Sequence, residues 1–240
     1  ALAMGTGDVA GANNIGLGKS ALAALTSGSY NIAIGLTALS GAAVSGTDNI
    51  AIGRLALTAA TSNIDNIAIG RSALAATAND GDLNIAIGLT AMGTGDVSGA
   101  DNVAIGQSAL SAATVAADNI AIGKQAADAG SGTFNCNIAI GQNALGASTD
   151  SVNNIAIGKT ALGVGNVSGD NNIAIGEAAA DALTSGVNNI ALGMHAMGAS
   201  LSGANNIAIG CLSMSSAVTG NSNVALGRET SKALVGNIGC

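Results

Sequence analysis

Proline and tryptophan are missing from this chain of 240 residues, and tyrosine, phenylalanine and histidine occur once each. Without aromatic bulk a broad core cannot be filled, and without proline the turns must come from Gly, Asn and Asp. Charge is scarce as well: 9% of residues, against about 25% in an ordinary globular domain. The net charge of −7 argues against a nucleic-acid partner, whose phosphates require a basic surface. No run of about 18 apolar residues occurs, so no segment is expected to insert in a membrane. No secretory signal is visible, but the chain opens inside a repeat and reads as a slice of a longer fibre. Three cysteines without metal-like spacing leave the redox compartment open. What is abundant is glycine, 36 residues, and small or aliphatic side chains, with 48% of the chain hydrophobic.

Those residues are arranged in one recurring phrase, Asn-(Ile/Val)-(Ala/Gly)-(Ile/Leu)-Gly. Its Asn falls at positions 14, 31, 49, 66, 84, 102, 119, 137, 154, 172, 189, 206 and 223, thirteen copies spaced by 17 or 18 residues. That period is too short for a helical pair and fits one coil of a β-solenoid. A Gly and an Asn in every period also disfavour helix, Gly by about 1 kcal/mol. The expected fold is therefore all-β, a parallel β-solenoid with one coil of 17–18 residues per repeat, running over 1–240 as a single array. Each coil reads as a strand on Asn-Ile-Ala-Ile, a turn at Gly, a second short strand around Ala-Leu, and a return loop that absorbs the length variation.

In a solenoid the residues of one column stack at about 4.8 Å. Alternation within the strand puts its two aliphatics (Ile155 and Ile157, for example) on one face and the residue between them on the other. The aliphatics are expected to point inward, joined by the Leu or Met of the Ala-Leu segment (Leu145, Leu162, Met197). The residue between them is then outward: Ala33, Ala51, Ala68, Ala86, Ala104, Ala121, Ala139, Ala156, Ala174, Ala191, Ala208 and Ala225, with only Gly16 departing. A solvated position would drift to Thr, Lys or Glu, so a fixed Ala column reads as a flat stripe against another protomer. The alternative places it beneath the chain's own return loop.

The repeated Asn reads as a buried ladder that bonds a turn and the next amide in the stack. An Asp or Asn often precedes it (Asp48, Asp65, Asp101, Asp118, Asn153, Asn171). Calcium is a possible ligand for such oxygens, but the glycine-rich calcium repeat is absent, so no metal or cofactor is expected. Six of the seven basic residues, Lys19, Arg54, Arg71, Lys124, Lys159 and Arg228, come directly after the motif Gly and form a charged rim. Such a rim keeps sheet edges apart, or serves as a glycan- or protein-binding strip.

Nothing points to catalysis. His195 stands alone in a column otherwise holding residues such as Ser, Thr, Gln and Asn. Gly5-Thr-Gly7, Gly93-Thr-Gly95 and Gly163-Val-Gly165 have the wrong spacing for phosphate loops. Cys136 and Cys211 lie in different columns about four coils apart, roughly 19 Å, too far for a disulfide. Asn166-Val-Ser168 fits a glycosylation acceptor. Ser or Thr recurs two residues after the Gly (Ser20, Thr37, Ser72, Thr90, Ser108, Thr160) but lapses elsewhere, a weak match to an ice-binding array. "IGLTAL" fits the hexapeptide of left-handed β-helix acyltransferases over only a third of each coil.

The phrase Asn-Ile-Ala-Ile-Gly-x-x-Ala-Leu resembles the head repeats of YadA-like trimeric autotransporter adhesins and the related arrays of phage tail fibres and bacterial surface fibres. It stands as NIAIG at 31–35, 66–70, 84–88, 137–141, 154–158, 172–176 and 206–210, so the resemblance covers nearly the whole chain. It implies a left-handed parallel β-roll, three chains side by side, and the small residue between the aliphatics turned toward neighbouring protomers. The expected function is a structural and adhesive fibre module, a rod of roughly 60 Å for thirteen coils at the strand spacing. It would sit outside the cell, on a cell surface or on a virion, as a homo-oligomer (a trimer favoured), and present loops to a host-surface glycan or protein receptor. A self-assembling filament of end-to-end subunits is the alternative.

Overall fold

The structure, a computed structural model, describes residues 11–41, 44–76, 81–95, 99–112, 114–129, 132–165, 167–199, 202–216 and 220–231. The chain divides into two compact units, Ala1–Asp118 and Asn119–Cys240. Each is a stack of one repeated coil with parallel strands, a β-solenoid, and the described residues include no helix. In the first unit the stacked strands are Ile15–Leu17, Ile32–Ile34, Ile50–Ile52, Ile67–Ile69, Ile85–Ile87 and Val103–Ile105. In the second they are Ile120–Ile122, Ile138–Ile140, Ile155–Ile157, Ile173–Ile175, Ile190–Leu192, Ile207–Ile209 and Val224–Leu226. Register is strict. Ile50 pairs with Ile67 and Ile52 with Ile69, one period of 17, and Ile85 pairs with Val103, one period of 18.

The motif Gly ends each strand because the chain must turn where the next coil is close. Gly158 has φ +133°, and a Cβ there would lie 2.4 Å from the carbonyl oxygen of Gly176. No L side chain fits that space or that dihedral.

After the Gly, two consecutive turns replace the expected second strand. Ala161 N–H donates to Gly158 C=O (3.3 Å) and Gly163 N–H to Thr160 C=O (3.0 Å). Their third residues, Thr160 and Leu162, have φ of 55° and 49°, the sign a type II turn requires. A bulky residue is uncommon in that region. Coil-to-coil bonds hold it there: Leu162 N–H donates to Ala179 C=O at 3.0 Å, and the side chain is fully buried.

The Asn ladder forms as expected. The motif Asn residues from Asn31 to Asn223 are almost completely buried. Oδ1 of Asn154 accepts from the backbone N–H (2.8 Å) and Nδ2 (3.1 Å) of Asn172, and its own Nδ2 donates to Gly169 C=O across the loop (3.0 Å). Each rung thereby ties the strand start to a return loop and to the next coil.

Three residues before this Asn most coils carry Gly, and the exceptions fill the corner. Phe134 is fully buried there, and Ser151 in the next coil bonds Ser148 Oγ (2.8 Å). Here the loops pair as short parallel strands, Phe134–Asn135 with Ser151–Val152. Phe134→Ala is expected to lower the stability of the second unit by about 3–5 kcal/mol, because small neighbours cannot collapse into the space. A fall in its denaturation midpoint would measure this.

Candidate interaction surface

The strand alternation is as expected, but its sense is reversed. Ala33, Ala51, Ala68, Ala86, Ala104, Ala121, Ala139, Ala156, Ala174, Ala191 and Ala208 are 0% exposed, and Ala225 is 2% exposed, within a single chain. They belong to the interior of the coil and cannot form a protomer interface. The aliphatics on either side point out: Ile120 is 38% exposed, Ile175 40% and Ile209 39%. The physical reason is room. The inside of a 17-residue coil also holds the Asn rung and the Ala-Leu pair of the turns (Ala161 and Leu162, both fully buried). With a Leu reaching in from the turn wall, the strand wall has space for a methyl group.

One signal in the sequence could have shown this. An interior position in a thin coil tolerates least variation, and Ala holds in twelve of thirteen repeats. The outer columns drift among Ile, Val and Leu (Leu17, Val103, Leu192, Val224, Leu226).

Each unit therefore presents two parallel columns of half-exposed aliphatic side chains. Parallel sheets ordinarily have both faces covered, so an open aliphatic face of this extent is the candidate interaction surface of the described residues. Its two borders are chemically distinct. At the strand starts lies the residue before the Asn, at φ close to 60° in coil after coil, which accounts for the Asn and Asp there. This border holds Asp48, Asp65, Asp101 and Asp118 in the first unit, and Asn153, Asn171, Asn188 and Asn205 in the second. The opposite border holds the charged rim, with Lys19, Arg54, Arg71, Lys124, Lys159 and Arg228 all exposed. Among the described residues, the ion pairs are Lys159 with Glu177 (3.7 Å) and Arg228 with Glu229 (3.4 Å). Both are open to solvent and of little stabilising weight.

Other residues singled out from the sequence do not assemble into a site. His195 is exposed. Burial holds the carboxyl of Asp181 above its usual range, and the nearby His195 offsets only part of that rise. The phosphate-loop look-alikes are already satisfied. Thr94 and Gly95 N–H donate to Ser111 C=O (3.0 and 2.9 Å), and Val164 and Gly165 N–H to Asp181 C=O (3.0 and 2.9 Å). The hydroxyls of Thr37, Thr90 and Thr160 each bond the preceding carbonyl at 2.8 Å. Cys136 is exposed and Cys211 half-buried, both as free thiols. Among the described residues no three His, Cys, Asp or Glu side chains gather as a metal site, and no helix is long and apolar enough to cross a membrane. Gly5, Gly7, Asn166 and Cys240 lie outside the described residues.

No family model, curated protein or solved structure matches this chain.

Proposed function

We propose that this chain is a structural and adhesive fibre module that works through its repeating aliphatic face rather than through a reactive centre. The observation that carries this reading is the pair of half-exposed aliphatic columns, held in register by the strand ladder. A surface with one chemistry repeated about every 4.8 Å suits a partner that is itself extended and periodic. Another copy of the same chain meets that requirement best, because oligomers of identical chains are the usual way to cover such a face. Side-by-side copies, a trimer in the resemblance to YadA-like head repeats, would form a rigid support outside the cell or on a virion. Its loops and outer walls would be left to contact a glycan or protein receptor.

The test is a substitution that charges the face without touching the interior. In the second unit, Ile155→Lys with Ile157→Lys is expected to keep the β circular-dichroism signal and to convert an oligomer into a monomer by sedimentation. A wild-type chain that is monomeric at high concentration would overturn the reading.

A further inference from the structure

The borders of the aliphatic face in the first unit carry a pattern that the single chain does not use. In two successive coils the border residues are Asp48 with Arg54 and Asp65 with Arg71. In the coils on either side they are Tyr30 with Leu36 and Leu83 with Leu89. Within each of these four coils, charge is matched by opposite charge and apolar by apolar, at opposite ends of one strand; in the unit's outer two coils a charge stands opposite a polar amide (Asn13 with Lys19, Asp101 with Gln107). Six residue steps separate the two ends, roughly 20 Å of extended chain, so they cannot touch within the coil. Asp48, Arg54, Asp65 and Arg71 are all exposed, and neither ion pair among the described residues involves them. Tyr30 is 59% exposed and Leu83 52%. The stacking makes matters worse for an isolated chain: Asp48 sits one coil from Asp65, and Arg54 one coil from Arg71, like charges at about the strand spacing.

A second copy resolves this in one orientation. To bring two such faces together, one copy must be turned over. Turning it about the strand direction reverses the stack and lays acid border on acid border. Turning it about the stacking axis keeps both stacks in the same direction and lays the acid border of each copy on the basic border of the other. With equal coils opposite each other, Arg54 then faces Asp48 of the second copy and Arg71 faces Asp65, on both borders. Leu36 faces Tyr30, and Leu89 faces Leu83. A slip of one coil keeps only half of these ion pairs (Arg54 with Asp65 on one border, Asp48 with Arg71 on the other) and sets the remaining charges against Tyr30, Leu36, Leu83 and Leu89, burying them beside apolar groups. Resting on the self-association proposed above, we infer that a second copy of this chain docks on the aliphatic face of the first unit in the same direction and coil for coil, with Asp48, Asp65, Arg54 and Arg71 fixing direction and register. A twofold or a threefold axis along the stack satisfies the same pairing.

Sedimentation of the full chain over a salt series tests this, with three variants whose folding is checked by circular dichroism. They are Asp48→Arg with Asp65→Arg, Arg54→Asp with Arg71→Asp, and the four-site exchange. Association of the wild type is expected to weaken with added salt. Each two-site reversal should weaken it by about tenfold or more, and the four-site exchange should restore it. Association that strengthens with salt, or reversals without effect, would indicate opposed stacks or a charge-blind face and overturn this inference while leaving self-association standing. A wild type that never associates overturns both.

Discussion

Ala156→Arg is expected to unfold its own coil rather than to release a partner. Its Cβ lies in an interior with no exposure, alongside the buried Leu162 and the Asn154 rung. An arginine there must either bury an unpaired guanidinium or push the strand away from the turns. Overpacking alone costs about 1–3 kcal/mol, and an uncompensated buried charge about 3–5 kcal/mol. Against a total stability of about 5–15 kcal/mol for an ordinary domain, that is enough to lose the neighbouring coils. The measurement is the β circular-dichroism signal and the thermal midpoint, set beside Ile157→Arg one residue away. The first should collapse both, and the second should leave them nearly unchanged. Equal tolerance of both changes would refute the assignment of inside and outside.

Asn154→Ala is expected to cost about 3 kcal/mol although it adds no bulk and no charge. Oδ1 of Asn154 is the acceptor for the Asn172 backbone N–H at 2.8 Å, and its Nδ2 reaches Gly169 C=O at 3.0 Å. Removing the amide strands a buried donor on the next coil and frees one return loop. Because each coil contacts only its neighbours, the damage should be local. Amide hydrogen exchange should speed up at Asn172 and in the strands flanking it, while the far coils of the unit keep their protection. Asn154→Asp should be worse near neutral pH, since it turns a carboxylate toward the Gly169 carbonyl and loses the donor. Uniform protection across the unit after Asn154→Ala would remove the ladder from the forces that hold the stack.

Much of this architecture is legible from the repeat. The thirteen Asn positions set the coil length, and the strands Ile50–Ile52 and Ile67–Ile69 pair with the offset that the period of 17 dictates. The rung role of Asn comes from its chemistry, since an amide carries two donors and an acceptor on separate atoms and can bond a return loop and the next coil at once. The charged rim also stands where the sequence places it, after the motif Gly. The stretch around Ala161 and Leu162 reads as a short strand and lies in a pair of turns, because nothing in Ala-Leu announces a positive φ. That conformation is imposed by carbonyls one coil away, such as Ala179 C=O for Leu162.

The sequence by itself determined the periodicity, the parallel stacking and the fact that Ile and Ala occupy opposite faces of each strand. Only the tertiary structure decided which face is inside. Alternation is symmetric with respect to inversion, and the usual preference for burying the larger aliphatics selects the wrong face here. What breaks the symmetry is the width of the closed coil, with Leu162 entering from the turns, Asn154 filling the corner and Gly158 forcing a close approach. Those three restraints leave room for one methyl group at Ala156 and turn Ile155 and Ile157 out. A strand that reads as core plus interface stripe is instead a thin interior with an aliphatic surface on its outside.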